Sequence, residues 1–358
     1  MQPEDVPQRW PLPSSPRPVC IIGAGSIVRD AHLPAYQAAG IPVSGIYDPD
    51  QDRARALARD FGITRIHRSL DEATAASGQV LDLALPPDAL ADVVPQLPEG
   101  SVVLMQKPLG TDLRAATAIL REVRARRITA AMNFQLRFSP QMMVLRRMVR
   151  EGALGEVLEL DVRINCSMPW QRWPFLRSLP RLEFLMHSIH YLDLLRAIAG
   201  EPKAAWARCV PHPDAAGMAA TRSSAIIDFG PSVRCTLSVN HHHAHGPRHE
   251  ASELRIEGTR GAAVAVMGAN LGYPSGRPDR LEVALAPGDW RDVPLVGNWF
   301  PDAFRGPMSN LQRFAAGEDA ALESPIDDAW RTMQLVEALY RSDATGGTAV
   351  GGDAGLAT

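Results

Sequence analysis

Apolar residues in the first third of the chain come in short runs that alternate with segments of helical periodicity. The runs are rich in Val, Ile and Leu, which is typical of strands buried on both faces of a parallel sheet. They cover residues 19–22, 43–47, 80–85, 102–105 and 128–132. This alternation predicts an α/β domain over residues 18–137, in which helices cover a parallel sheet.

The helix before the fifth run has a recognisable beginning. Thr111 is the predicted N-cap, because a side-chain oxygen there can accept hydrogen bonds from free N–H groups of the first turn. Leu113, Ala116, Leu120 and Val123 follow at helical spacing, so this apolar stripe should face the sheet.

After residue 137, strand-like runs outnumber helices. Pro140 begins one helix and Ser324-Pro325 begins another, since proline suits the first helical turn. The strand-like runs cover residues 157–164, 204–210, 224–228, 233–243, 252–257 and 262–267. The pattern predicts a second, α+β domain over residues 138–343 with a large, mainly antiparallel sheet.

The two ends of the chain differ from both domains. Residues 1–17 are rich in proline and lack the apolar segment of a signal peptide, so an extended leader is expected. Residues 344–358 are rich in glycine and are expected to form a flexible tail.

Composition limits the class of partner. A chain of 358 residues fits two domains. The net charge is −3, and no block of like charges indicates a nucleic-acid partner. No apolar run approaches the roughly 20 residues of a membrane-spanning helix. We therefore expect a small-molecule partner, with no nucleic acid and no membrane.

The cysteines indicate the redox environment. Cys20, Cys166, Cys209 and Cys235 are scattered without a CxxC pair, and each lies in or beside an apolar run. This pattern favours buried, reduced thiols in a cytoplasmic protein.

The first strand leads into a glycine-rich turn. Gly23 permits the tight turn, and Gly25 lets the backbone approach a pyrophosphate seated on the following helix. Ser26 and Ile27 begin that helix, while Val28 stands where a third glycine is usual. The context predicts a dinucleotide site.

Asp48 follows the second strand, 25 residues after Gly23. A carboxylate at this place accepts hydrogen bonds from ribose hydroxyls and repels a 2′-phosphate, which favours NAD over NADP. The alternative is that Asp48 caps the next helix, which starts near Gln51.

Several further segments carry a family resemblance. They are GAGSIV at residues 23–28, HLPA at 32–35, YDP at 47–49, LPP at 85–87, QKP at 106–108, EGALGE at 151–156 and HYLD at 190–193. In this order and spacing, residues 18–342 resemble the glucose-fructose oxidoreductase and inositol dehydrogenase (Gfo/Idh/MocA) family. The resemblance implies an NAD(P)-dependent dehydrogenase that moves a hydride between nicotinamide and a hydroxyl or carbonyl carbon of a sugar, inositol or sugar-acid-like substrate.

The resemblance also implies roles for single residues. Lys107 would lie beside the nicotinamide and the reacting oxygen, and His190, followed by Asp193, would be the general base. Pro86 and Gln106 would line the cofactor site, and the second-domain sheet would form a homo-oligomer, a dimer or tetramer. Without the family, a lysine at a strand end is usually solvated and a histidine on an apolar helix is usually a core residue.

Three positions depart from the family's usual residues: Gln106 for glutamate, Leu90 for histidine and Met186 for aspartate. Gln106 brings no charge, so the pKa of Lys107 is expected to be lower than in relatives. His187 is a hypothetical substitute for the missing aspartate in binding substrate. These losses also leave open a catalytically silent sensor that binds dinucleotide or sugar, and, on the same scaffold, reduction of an imine or linear tetrapyrrole.

Two further places in the chain are candidates for substrate contacts. Trp170 and Arg172 lie in the segment 170–173, where relatives place a loop over the active site. The alternative is that the two tryptophans, Trp170 and Trp173, simply pack this loop onto the core. Arg137 is another candidate for positioning substrate.

A run of histidines lies in the predicted strand at 233–243 and beyond it. Alternation would place His241, His243 and His245 on one face. Three imidazoles could bind zinc, but a polar sheet face or subunit contact is favoured, so no metal site is expected.

Overall fold

The computed structural model describes residues 2–273 and 276–348. It contains two sheets, one parallel with five strands and one mixed with eight strands. The α/β domain followed by an α+β region with a large sheet, as expected from the apolar pattern, is confirmed.

The first sheet has the order β2-β1-β3-β4-β5, and all its strands are parallel. Its strands are β1 (Val19–Ile22), β2 (Val43–Tyr47), β3 (Val80–Leu83), β4 (Val102–Met105) and β5 (Thr129–Met132). Its helices are α1 (Leu33–Ala39), which continues a π-helical turn (Val28–His32), α2 (Gln51–Phe61), α3 (Leu70–Thr74), α4 (Leu90–Val93) and α5 (Leu113–Ala125). Two strands are shorter than predicted. β3 ends early where the chain approaches Pro86, which restricts the residue before it.

The predicted N-cap of α5 is wrong by one residue. Asp112, not Thr111, has extended backbone angles, and its carboxylate accepts a hydrogen bond of 2.8 Å from the N–H of Ala115. A carboxylate also interacts favourably with the positive end of the helix dipole, so aspartate is the better cap.

The second sheet has the order β13-β12-β11-β10-β6-β9-β8-β7. Its strands are β6 (Val157–Asn165), β7 (Ala204–Val210), β8 (Arg222–Asp228), β9 (Arg234–Asn240), β10 (Ala251–Gly258), β11 (Gly261–Val266), β12 (Arg280–Leu285) and β13 (Arg291–Asp292). Its neighbouring pairs are antiparallel except β6 with β9. The sequence analysis did not predict β12 and β13. In β12, however, the buried Leu281 and Val283 alternate with more exposed residues, which is the periodicity of a strand.

The predicted strand at 233–243 is too long. β9 ends at Asn240, whose side-chain oxygen accepts from the N–H of His242 at 3.0 Å and turns the chain. The run of histidines therefore follows the strand, and the prediction that His241, His243 and His245 share one strand face is wrong.

Four further α-helices complete the described part of the fold: α6 (Pro140–Arg150), α7 (Ile189–Ala199), α8 (Arg305–Ala315) and α9 (Ile326–Thr345). The helix α8, near the C-terminus, packs on the first sheet. Its residues Met308 and Leu311 belong to the apolar core of that sheet. A division of the chain at residue 137/138 therefore omits a helix that packs on the first domain. The helix α9 extends into the predicted tail, of which residues 349–358 lie outside the described part.

The N-terminal leader packs along its length. It forms one 3₁₀ turn at Pro3–Asp5. Trp10 donates its indole N–H to Asp319 at 2.8 Å, and the centroid of its ring lies 5.4 Å from that of the Phe138 ring. Ser14 donates its hydroxyl to Glu318 at 2.6 Å. The leader is thus tied to the C-terminal part of the chain.

No helix within residues 2–273 and 276–348 is both long and apolar enough to cross a membrane.

Candidate active site

The carboxyl ends of the parallel strands meet at one edge, where ligands of such sheets bind. The N–H of Gly23 donates to the carbonyl of Tyr47 at 2.7 Å, and that of Gln106 donates to Leu83 at 2.9 Å. The segments that follow β1 to β4 therefore lie side by side, and they carry the residues predicted to bind cofactor.

The two glycines of the turn have different reasons to be glycine. Gly23 has φ +111°, and a Cβ there would lie 2.4 Å from the carbonyl oxygen of Ala84. A Cβ on Gly25 would meet no atom of the described chain within 4 Å. Packing therefore requires Gly23, whereas the space beside Gly25 fits the close approach of a pyrophosphate.

The Asp48 carboxylate lies against this turn. One oxygen accepts from the N–H of Ala24 at 2.7 Å and the other from Asp50 at 2.8 Å. The cap of α2 is Asp50, whose side chain accepts from the N–H groups of Asp52 and Arg53, so the capping alternative for Asp48 is wrong. The carboxylate of Asp48 is therefore held beside the glycine turn.

Lys107 leaves the end of β4 and reaches the second domain. Its ammonium donates to the carbonyl oxygen of Met186 at 2.8 Å. Gln106 is buried and its side-chain oxygen accepts from the N–H of Lys107 at 3.1 Å. Burial lowers the pKa of Lys107 to about 8, and no carboxylate offsets this.

His190 lies in the first turn of α7, after a π-helical turn at Glu183–His187. It is buried, with Nε2 3.5 Å from the amide of Gln135, which follows β5. Its Nδ1 has no partner among the described residues. Burial and the Lys107 ammonium lower the pKa of His190 well below its ordinary value, so the ring is neutral and its one unprotonated nitrogen can accept a proton.

The predicted substrate contacts Arg137 and Asp193 bind each other instead. Arg137 donates to both carboxylate oxygens of Asp193, at 2.6 and 2.5 Å, and also to Asp328 at 2.5 Å. A fourth N–H group donates to the carbonyl of Glu323. Four of the five guanidinium donors are therefore in use, and this buried ion pair anchors α7.

The loop that carries Trp170 and Arg172 spans both domains. Trp170 is buried, which agrees with the packing alternative, yet its indole N–H has no partner among the described residues. Arg172 donates to Asp30 of the first domain at 3.1 Å and lies over the ring of Tyr273. The loop therefore closes over the edge of the first sheet.

Trp170 is surrounded by histidines that the sequence did not bring together. The centroid of its ring lies 5.0 Å from that of the His187 ring and 5.8 Å from that of the His241 ring, and the ring stacks on His242. Within the described residues no group of three or more His, Cys, Asp or Glu side chains is arranged to hold a metal ion.

The sequence analysis did not find two features of this site, which are Glu183 and the contact between His241 and His187. Glu183 is buried and close to His241, with 3.7 Å between carboxylate and Nε2. The position of Glu183 in an apolar stretch was a usable signal, because an unpaired acid is rarely fully buried. The nearness of His241 to His187 depends on the course of the chain after β9.

Models of one protein family match both halves of the chain. The model described as "Oxidoreductase family, NAD-binding Rossmann fold" matches residues 17–134, and the GFO/IDH/MocA C-terminal domain matches residues 142–264. The chain belongs to the Gfo/Idh/MocA oxidoreductase family. The resemblance found in the sequence is thereby confirmed, as is its description as an NAD-binding oxidoreductase.

Relatives in the Gfo/Idh/MocA family include named dehydrogenases. D-apiose dehydrogenase of Paraburkholderia graminis is 24% identical over 92% of this chain and 88% of that protein. Inositol 2-dehydrogenase of Corynebacterium glutamicum is 30% identical over 40% of this chain, and the match spans 43% of that protein. A levoglucosan dehydrogenase solved with NADH and levoglucosan matches with a TM-score of 0.76 at 20% identity, over 92% of this chain and 98% of that chain.

The three departures from the Gfo/Idh/MocA pattern now have places in the structure. Leu90 begins α4 and is fully buried. Gln106 supports the backbone of Lys107, and Met186 binds the Lys107 ammonium through its carbonyl oxygen. The site thus keeps the lysine and the histidine but holds neither acid.

Proposed function

We propose that the protein is an NAD-dependent dehydrogenase that oxidises a hydroxyl group of a sugar, polyol or sugar-acid substrate. One observation carries the proposal. Lys107, from the end of β4, and His190, from α7, flank the edge of the sheet that also carries the turn at Gly23 and Gly25.

Each residue has a separate task in this proposal. The Lys107 ammonium donates a hydrogen bond to the reacting oxygen and stabilises negative charge that develops there. His190 is buried and takes the hydroxyl proton on the unprotonated nitrogen of its neutral ring. NAD, when bound, supplies the acceptor for the hydride that leaves the same carbon.

NAD is proposed over NADP because of Asp48. Its carboxylate is fixed by the N–H groups of Ala24 and Asp50 beside the glycine turn. A fixed negative charge there suits ribose hydroxyls and repels a 2′-phosphate.

We propose positioning roles for Arg137 and Asp193. The ion pair ties the turn after β5 to α7, so it sets the place of His190 relative to Lys107. Trp170, Arg172 and His187 are proposed to line the substrate side of the same cleft.

We also propose a cytoplasmic homo-oligomer. All four cysteines are buried and unpaired, which suits a reducing compartment. On the outer face of the second sheet Trp206 and Ile226 are paired across β7 and β8 and are 56% and 53% exposed. Neighbouring exposed apolar side chains of this size are typical of subunit contacts.

A cofactor-resolved activity screen tests the function. Purified protein is incubated with NAD or NADP and a panel of inositols, sugars, alditols and sugar acids, and formation of reduced nicotinamide is followed by absorbance. Turnover with NAD is expected for part of the panel. Tight NAD binding without turnover on any member would favour the sensor alternative.

A further inference from the structure

A cluster of nitrogen-bearing side chains lies on the substrate side of Lys107. The ring of His187 lies 4.8 Å from that of His241 and 5.0 Å from that of Trp170. The Lys107 ammonium binds the carbonyl oxygen of the residue just before His187. Lys107 and His187 are only partly buried, so solvent reaches the cluster at these two residues.

Several nitrogens of the cluster lack a partner within the described residues. They are Nε1 of Trp170, Nε2 of His241 and Nδ1 of His190. Each of these side chains is more than nine-tenths buried. An indole N–H can only donate, and a buried donor without an acceptor costs free energy. The indole N–H of Trp170 is therefore a buried donor of the cluster that still needs an acceptor.

The nearby carboxylates are committed to other groups. Glu183 accepts hydrogen bonds from the hydroxyls of Ser188 and Ser223, both at 2.5 Å, and one of its carboxylate oxygens lies 3.7 Å from Nε2 of His241. Asp193 is paired with Arg137. Within the described residues no acid is bonded to Lys107 or His187.

The surroundings of His187 disfavour its protonated form. Burial lowers the pKa of His187 well below its ordinary value, and His241, Lys107 and His190 lower it further. No carboxylate opposes this effect at His187. An anion placed among these groups would favour their protonated forms.

We propose that the substrate carries a carboxylate near the hydroxyl that is oxidised, as a sugar acid does, and that His187 and Trp170 bind this carboxylate beside Lys107. The inference rests on the proposed dehydrogenase function and narrows its substrate class. His187 donates a charged hydrogen bond, and the indole N–H of Trp170 gains an acceptor.

A pH dependence follows from this arrangement. Binding of the carboxylate raises the pKa of His187, so a proton is taken up between the pKa values of the free and bound states. The groups that face His187 are Lys107, His190, His241 and, behind His241, Glu183. Affinity for an acid substrate therefore falls as pH rises, by up to about tenfold per pH unit for one proton.

Paired substrates test the inference. Each aldonate is compared with the alditol of the same configuration, such as gluconate with glucitol, in kcat/KM with NAD from pH 5.5 to about 9. The acid-to-alditol ratio cancels the ionisation of His190. We expect a ratio of at least about ten near pH 6 that falls as pH rises.

Calorimetry gives a second reading that needs no turnover. Gluconate is titrated into protein without NAD in buffers of different ionisation enthalpy, and proton uptake is expected on binding. In His187→Gln the uptake should vanish and the acid-to-alditol ratio should approach one. His249→Gln replaces an exposed histidine and should keep both.

The outcomes separate the two proposals. Turnover of alditols with no preference for acids overturns the carboxylate site and leaves the dehydrogenase standing. No turnover on any substrate contradicts the proposed function, while gluconate binding with proton uptake still supports the carboxylate site. Absence of such binding overturns it.

Discussion

Lys107 and His190 must hold opposite protonation states for oxidation of a hydroxyl. His190 has to be neutral to take a proton, and its burial and the Lys107 ammonium keep its pKa well below the ordinary value. Lys107 has to be charged, and burial lowers its pKa to about 8. The window in which both conditions hold lies between these two pKa values.

We therefore predict a bell-shaped pH profile of kcat/KM for a neutral substrate. Activity rises as His190 loses its proton below about pH 6.5 and falls as Lys107 loses its proton above about pH 8. Initial rates at constant ionic strength measure both limbs. In Lys107→Arg, whose guanidinium keeps its charge, the alkaline limb should disappear. Persistence of that limb would contradict its assignment to Lys107.

The two glycines of the turn predict opposite defects. Gly23→Ala places a Cβ 2.4 Å from a carbonyl oxygen at φ +111° and should destabilise the fold by about 1–3 kcal/mol. Gly25→Ala meets only open space and should change stability by less than about 0.5 kcal/mol, while NAD affinity falls at least tenfold. Urea unfolding and NAD titration measure these effects. Equal NAD affinity in Gly25→Ala and wild type would rule out pyrophosphate contact there.

At the scale of elements, α7 is held by the buried pair of Arg137 and Asp193. Arg137→Met leaves Asp193 buried without its main partner, and should lower the free energy of unfolding by about 3–5 kcal/mol. Arg163→Met removes an exposed arginine of β6 and serves as control, with a change within about 0.5 kcal/mol. Denaturant unfolding compares the variants. A loss of activity in Arg137→Met without loss of stability would instead favour substrate contact.

The sequence predicted elements better than the contacts between them. Runs such as residues 19–22 and 102–105 are strands because they are buried on both faces, and that burial is visible as an unbroken apolar run. β13 has only two residues, too few for any periodicity. Thr111 and Asp112 can both cap α5, and the stronger capping preference of aspartate was a local signal that the sequence analysis did not use.

For the candidate site, too, the sequence predicted the motif residues better than the contacts between distant segments. Gly23, Lys107 and His190 could be found because each lies in a motif of fixed spacing. The pairing of Arg137 with Asp193 joins segments 56 residues apart, and the approach of His241 to His187 depends on the turn after β9. Neither contact leaves a local pattern in the chain, so the sequence could not distinguish a substrate contact from an ion pair.

For the whole molecule, we predict that the outer face of the second sheet forms a subunit contact. Ile226→Arg introduces a charge into the apolar pair with Trp206 and should convert a dimer or tetramer to smaller species. Light scattering after size-exclusion chromatography measures the mass. Val296→Arg alters an exposed apolar residue outside the sheet and should leave the mass unchanged. A monomeric wild type would contradict the predicted contact.

Direct transfer of hydrogen from substrate to NAD is the central claim. A substrate found in the activity screen is prepared with deuterium on the carbon that bears the oxidised hydroxyl, and the reduced cofactor is analysed by mass spectrometry. One deuterium per reduced NAD is predicted, with at least a hundredfold slower transfer in Lys107→Ala and in His190→Ala. Reduced NAD without deuterium, or undiminished transfer in both variants, would contradict the account.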